Sequence, residues 1–384
     1  MKVALITLND STDVHQWSGL NYFIARSLER AGATLHRIGP LHTRWTTAMR
    51  IRQRWYDATK RTYHQVMEPQ SLAAIGAAAR AQIPADADAV LGVTSLIAAA
   101  VGPLDLPFAS WDDATSAAMS EYYPDFERLA PVSRQHNMEV GRRAVEAVSL
   151  AIYSSDWAAN SARAAYGLPE SRVAVVPFGA NLEELPSQGD VEAAIAARPD
   201  NVCRLLWVGV EWHRKGGPLT IEIARGLRDA GVNVELTLVG CKPELEGPPE
   251  DWMRIEGFVS KKTAAGRARL ADLFLRSHFF VMPSKAEAYG LVYVEAATYG
   301  VPAVAIHTGG VPTIIRDDLT GILGAPGSDA GRYVGRILSL LHDRDRYTKM
   351  ALSARQRAAE RLNWDTAGRD VVARLEQLCQ LNAR

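Results

Sequence analysis

The feature that most constrains this chain is an alternation of short apolar runs with longer helical stretches, which runs its course twice. In the first half, strand-like runs fall at residues 3–8, 34–38, 89–93, 107–110, 150–154 and 173–177. Helical patterns lie between them at 20–31, 71–82, 133–149 and 155–166, the first ending at Gly32. Strands alternating with helices in this way predict a parallel sheet covered on both faces. The rhythm loosens over residues 179–200, where E-E-L-P-S-Q-G-D and A-A-R-P-D read as polar, turn-rich boundary sequence. It resumes at Arg204, with strands at 205–208, 235–239, 279–282 and 303–306 and helices at 218–229, 262–275 and 291–299. Helical patterns then dominate from Gly331 onward. A chain of 384 residues exceeds one ordinary core. The expectation is an α/β protein of two doubly wound, Rossmann-like domains facing a cleft. In open sheets of this kind, ligands bind beyond the carboxyl ends of the strands.

Composition narrows the function. Forty-three Lys and Arg balance 43 Asp and Glu, so the basic excess of a nucleic-acid protein is missing. The three cysteines are scattered without a C-x-x-C, which suggests neither a zinc site nor a disulfide framework. The opening M-K-V-A-L-I-T-L-N-D fits a first strand better than a signal peptide, and no apolar run has membrane-spanning length. These readings place the protein in the cytoplasm, at most peripheral to the inner face of a membrane.

Three stretches fall just after predicted strands. In S-K-A-E-A-Y-G-L-V-Y-V-E-A-A, Glu287 precedes a helix start and Glu295 lies about one turn inside it. Helix starts carry unpaired N–H groups and a partial positive charge, which suit a phosphate. Gly290 permits close approach of a ligand to the backbone. Carboxylates accept hydrogen bonds from sugar hydroxyls, so the pair could flank a phosphate-bearing sugar; they read equally as a loop charge and a dipole-favoured helix residue. In W-V-G-V-E-W-H-R-K-G-G, Arg214 and Lys215 place two cations at a strand end, fit for a leaving diphosphate or for a solvated basic turn. After the first strand, Ser18-Gly19 opens a helix, either as a plain N-cap or as a second place for close backbone approach. The sequence has no G-x-G and hence no dinucleotide fingerprint.

Together these motifs resemble the retaining glycosyltransferases of family 4, with the GT-B fold. E-A-Y-G-L-V-Y-V-E is similar to the family's E-x7-E, and H-R-K-G-G and the Ser-Gly helix opening match in order and spacing. S-D-W-A-A-N-S and V-V-P-F-G-A-N-L resemble the family's region before the linker, and N-W-D at 363–365 the point where the last helix crosses back. The resemblance implies an N-terminal acceptor-side domain over 1–180, joined by 366–384, and a nucleotide-sugar domain over 200–365. It implies that Arg214 and Lys215 hold the donor diphosphate, Glu287 the sugar hydroxyls and Glu295 the ribose. Backbone at Tyr289, Gly290 and Leu291 would contact phosphate or sugar, Gly19 would close on the diphosphate, and the loop at Gly257-Phe258 would meet the base. Where many members carry Arg after the strand glycine, this chain has Val210; where many have His near the donor sugar, it has Asp112 and Asp113, of which Asp113 is the choice, with a helix N-cap as its other reading. The donor, UDP- or GDP-linked, is a substrate; no cofactor and no metal are implied. The acceptor would be a glycan, a lipid-linked or a small-molecule hydroxyl, in glycan or cell-envelope polysaccharide biosynthesis. A nucleotide-sugar epimerase, a sugar phosphorylase and a non-catalytic sugar-binding protein are the rival readings.

Other features are set aside or left open. The D-x-D at Asp86 and Asp88 precedes a strand, on the wrong side of a sheet for a ligand, and Asp343 and Asp345 read as a turn between helices. Residues 41–64 hold six Lys or Arg against one Asp, interleaved with Trp45, Trp55, Tyr56 and Tyr63. That stretch reads either as a solvated helix packing its aromatics or as a peripheral membrane or acceptor contact.

Overall fold

The structure, a computed structural model, describes every residue except 15, 44, 121, 124, 125, 127, 383 and 384. Arg44 of the basic stretch and the last two residues of 366–384 thus lie outside the described residues. The chain divides into two compact units, Met1–Phe178 with Trp364–Arg384, and Gly179–Asn363.

The first unit is built on six parallel strands: β1 (Lys2–Ile6), β2 (Thr34–Ile38), β3 (Ala89–Val93), β4 (Phe108–Asp112), β5 (Leu150–Tyr153) and β6 (Val173–Val175). Their order is β2-β1-β3-β4-β5-β6. All of β3 and β4 is buried, because helices cover both faces, whereas edge strand β2 is largely exposed or half-buried. The helices are α1 (Leu20–Arg30), α2 (Thr47–Ala58), α3 (Pro69–Arg80), α4 (Ser95–Val101), α5 (Ser116–Ser120), α6 (Pro131–Ala147) and α7 (Asp156–Tyr166).

The second unit repeats the plan with β7 (Cys203–Val208), β8 (Val234–Val239), β9 (Met253–Gly257), β10 (Phe279–Val281), β11 (Ala303–Ile306) and β12 (Gly321–Gly324). Their order is β12-β11-β10-β7-β8-β9, all parallel. Helices α8 (Gln188–Ala197), α9 (Gly217–Asp229), α10 (Ala264–Arg276), α11 (Leu291–Thr298), α12 (Val311–Ile314), α13 (Ala330–His342) and α14 (Arg344–Glu360) surround it. The final helix, α15 (Trp364–Asn382), belongs to the first unit. It lies so close to α1 that a Cβ on Gly368 would come within 2.2 Å of the Ser27 carbonyl oxygen.

Part of the stretch expected to be a polar break is helical. Ser187 caps α8 by accepting from the Asp190 N–H at 3.1 Å, and Val191 and Ile195 pack against Ala351. Arg198, which gave the segment its polar look, is buried, donating to the Gly300 and Tyr299 carbonyls at 2.9 and 3.3 Å and to the Tyr347 hydroxyl at 2.8 Å. Strands β9 and β12 also escape the sequence pattern. The first is a polar edge strand, and the second has glycine at both ends.

Candidate functional site

Each sheet has a point where its strand order reverses direction: between β1 and β3 in the first unit, and between β7 and β10 in the second. A crevice opens at the carboxyl ends of such a strand pair. In the second unit, helices α9 and α11 begin there. Their N-caps are Gly216 (φ 72°) and Gly290 (φ 99°), and neither start has a capping side chain. The contrast is with α7, α8, α10 and α13, whose starts are closed by Ser155, Ser187, Thr263 and Asp329. Gly216 is required twice over: its φ is left-handed, and a Cβ would lie 2.1 Å from the Pro283 carbonyl oxygen.

The loops before these helices bring three predicted site residues together. Lys215 Nζ donates to Glu287 Oε1 at 2.6 Å, and Arg214 Nη1 reaches the same oxygen at 3.5 Å. Arg214 Nη1 also donates to the Ala286 carbonyl at 2.6 Å, while its Nε and Nη2 form a two-pronged bond to Glu211 at 2.7 and 2.6 Å. Ser284 Oγ donates to Glu287 Oε1 at 3.4 Å. The side chains of Glu287, Arg214 and Lys215 are only 8%, 13% and 15% exposed. Backbone bonds lock the frame: Lys285 N donates to the Arg214 carbonyl at 2.8 Å, and Trp207 Nε1 to that of Lys215 at 3.0 Å. On the far side Gly310 N donates to the Glu287 carbonyl at 3.1 Å.

In this arrangement two cations face two carboxylates. The hydrogen-bonded Arg214 guanidinium holds the Glu211 carboxyl below its ordinary range. The sequence shows Arg214 and Lys215 as neighbours and Glu287 as a separate motif; the fold makes them one cluster. Glu211 and Ser284 are site residues that the motifs did not single out. Glu211 had a signal, its three-residue offset from Arg214; Ser284 had none.

Glu295, on α11, is 3% exposed and is ion-paired with Lys261, which comes from the loop after β9. Lys261 is a further partner that the sequence motifs do not reveal. Gly257 (φ 65°) ends β9, and Phe258 beside it is 75% exposed. Tyr289 is buried, Gly290 caps the helix and Leu291 is its first residue.

In the first unit, Gly19 rather than Ser18 is the N-cap of α1, with φ 82° and no capping side chain. Ser18 itself has φ 56°. Asp112, at the end of β4, is buried and accepts from Ser95 N and Oγ at 2.6 and 2.7 Å and from Asp113 N at 2.8 Å. Burial pushes its carboxyl pKa up. Asp113 follows, half-buried, beyond the carboxyl end of β4. At the start of α5, Thr115 Oγ1 accepts from Ala118 N at 3.0 Å.

The features set aside from the sequence have structural uses elsewhere. Asp86 is ion-paired with Lys2, and Asp88 accepts from Lys2 N at 2.6 Å, both at the amino ends of strands. Asp343 caps α14, accepting from Arg346 N at 3.0 Å. Among the described residues, no group of three or more His, Cys, Asp or Glu is placed to hold a metal ion, and no helix is long and apolar enough to cross a membrane.

Paired doubly wound sheets, with uncapped helix starts at the reversal point of each, define an α/β protein of the GT-B fold class. The likeness to solved structures agrees. Sucrose-phosphate synthase from Thermosynechococcus elongatus superposes with a TM-score of 0.69 at 18% identity, covering 99% of each chain. HepE of Anabaena, in its complex with UDP-glucose, gives 0.62 at 16% identity, covering 98% of this chain and 100% of its own. The second unit shows a more particular likeness: residues 192–357 match the family of glycosyl transferases group 1. The D-inositol 3-phosphate glycosyltransferase 1 of Catenulispora acidiphila is 32% identical over 208 residues, 51% of this chain and 50% of that protein. The chain thus spans about half the length of the curated relatives it matches.

Proposed function

We propose that this protein is a retaining glycosyltransferase that moves a sugar from a nucleoside-diphosphate donor to a hydroxyl acceptor. The observation that carries the reading is the Lys215–Glu287–Arg214 cluster. It sits at the reversal point of a sheet within the group 1 glycosyl transferase match, beside the uncapped start of α11. Lys215, Arg214 and the backbone at Tyr289, Gly290 and Leu291 neutralise the diphosphate, whose charge grows as it leaves. On donor binding the Lys215 ammonium passes from Glu287 to phosphate, which releases the carboxylate to accept from sugar hydroxyls. Glu295 takes the ribose, with Lys261 fixing its orientation, and Gly257 and Phe258 meet the base. In the first unit, Gly19 and Asp113 are the residues proposed for the diphosphate and the transferred sugar. The solved HepE complex with UDP-glucose favours a UDP-linked donor over a GDP-linked one. The acceptor is a glycan, a lipid-linked or a small-molecule hydroxyl in polysaccharide assembly, and a donor phosphate oxygen takes its proton on the retained face.

The test is thermal unfolding with UDP, GDP and ADP, with and without EDTA, followed by incubation with UDP-glucose alone. One nucleoside diphosphate should raise the midpoint regardless of EDTA, by the equivalent of about 2.7 kcal/mol at a hundredfold excess over Kd. Slow release of UDP and of glucose with retained configuration should accompany it. No shift with any nucleotide overturns the reading in favour of a sugar-binding protein, and conversion of UDP-glucose to an epimer identifies an epimerase.

A further inference from the structure

Helix α2 adds almost nothing to the core of the first unit: Met49 is its one buried residue. On the inward side, Arg52 Nη1 donates to Glu68 Oε1 at 2.7 Å and the Tyr63 hydroxyl to the same oxygen at 2.5 Å. Tyr56 stacks on Tyr63 with ring centroids 5.6 Å apart, so two of the four aromatics in the basic stretch do pack.

The other two stay largely exposed, although the Trp55 ring meets Tyr56 edge-on with centroids 4.7 Å apart. Ile51 and Trp55, one turn apart, are 62% and 60% exposed, and Trp45, just before the N-cap Thr46, is 41% exposed. Helical spacing sets Ile51, Arg54, Trp55 and Ala58 on the side opposite Met49, with Arg50 at its edge. Arg50, Arg54, Lys60 and Arg61 are all exposed. The acid within the helix is Asp57, which accepts from Gln53 Nε2 at 2.7 Å. A surface helix ordinarily turns its large apolar side chains inward. This one holds an aliphatic and an indole outward among guanidinium groups, the layout of a helix lying in a membrane interface. A soluble polyanion would use the cations and gain nothing from Ile51 or Trp55. The boundary between headgroups and acyl chains takes both, with the Arg stems buried and their charged ends at phosphate level.

We propose that the outward face of α2, with Trp45 beside it, docks on an anionic phospholipid surface. This face lies wholly in the first unit and needs nothing from the donor chemistry of the second. The experiment is co-sedimentation of the full chain with phosphatidylcholine vesicles, with and without phosphatidylglycerol, at low and high salt. Binding is expected only to the phosphatidylglycerol vesicles and should weaken with salt. Each guanidinium removed should weaken partitioning about five-fold, so R50Q/R54Q should lose about 25-fold. I51S/W55S should lose about ten-fold or more through the missing apolar insertion. All four side chains are exposed, so the unfolding midpoint of R50Q/R54Q should match the parent, and that of I51S/W55S should differ only by the lost edge contact of Trp55 on Tyr56. Failure to sediment with phosphatidylglycerol, or equal sedimentation with pure phosphatidylcholine, overturns the proposal. Loss in R50Q/R54Q with full binding in I51S/W55S overturns it as well, because the surface would then be a site for soluble anions.

Discussion

Replacing Lys215 by Met keeps the side-chain stem and removes the ammonium that faces Glu287. The carboxylate then stays 8% exposed, with Arg214 at 3.5 Å and Ser284 Oγ at 3.4 Å among its remaining partners. At 2.6 Å the lost attraction is about 6 kcal/mol at an effective dielectric of about 20. Removing one partner of a buried pair costs about 3–5 kcal/mol, because the other charge is left uncompensated. The remaining contacts to Glu287 place K215M at the low end, about 3 kcal/mol. For a unit of this size that lowers the unfolding midpoint by roughly 6–12 °C. E287Q should cost less, about 1–2 kcal/mol, since the freed ammonium can turn toward water. The double variant K215M/E287Q should recover much of the loss, with a coupling of about 2 kcal/mol. The assay is urea unfolding of the parent, both single variants and the double. Additive losses, with coupling below about 0.5 kcal/mol, would refute the sealed pair and leave two separately solvated charges.

Two further outcomes follow from the same unit. His278 Nδ1 accepts from Arg204 N at 3.0 Å and Nε2 donates to the Pro199 carbonyl at 3.0 Å, and burial lowers its pKa to about 4. The unfolded chain binds that proton near pH 6.5, so stability should fall as pH drops from about 6.5 to 4, by up to about 3 kcal/mol; H278Q should lack most of that slope, and an unchanged slope in urea titrations would refute the assignment. At Gly310 a Cβ would stand 2.2 Å from the Ala288 carbonyl oxygen, so G310A must displace the loop that carries Glu287. Turnover of the donor should fall about a hundredfold for a shift of roughly 1 Å, with a stability loss of about 1–3 kcal/mol; full activity would show that Gly310 does not position the loop.

Much of the fold was legible because buried parallel strands need continuous apolar runs, as in F-F-V at β10 and A-V-L-G-V at β3. What escaped had a common cause. Helix α8 was hidden by Arg198, whose polarity is absorbed by hydrogen bonds to distant carbonyls. Strand β9, at an edge, carries Arg254 and Glu256 and shows no apolar run. The glycines at the starts of α1, α9 and α11 could be placed near helix starts from sequence. Their left-handed φ and the missing side-chain caps could not.

By itself the sequence determined two doubly wound α/β units, because strand and helix periodicities are local properties of the chain. It also determined which loops follow strands, and so which residues stand at carboxyl ends. Only the tertiary structure decided that Lys215 and Glu287, 72 positions apart, share one hydrogen bond. It also decided that Arg214 is gripped by Glu211, that Glu295 faces Lys261, and that Trp55 points outward while Tyr63 is buried. Each of these depends on which strands become neighbours and which helix face turns inward, and long-range packing sets both.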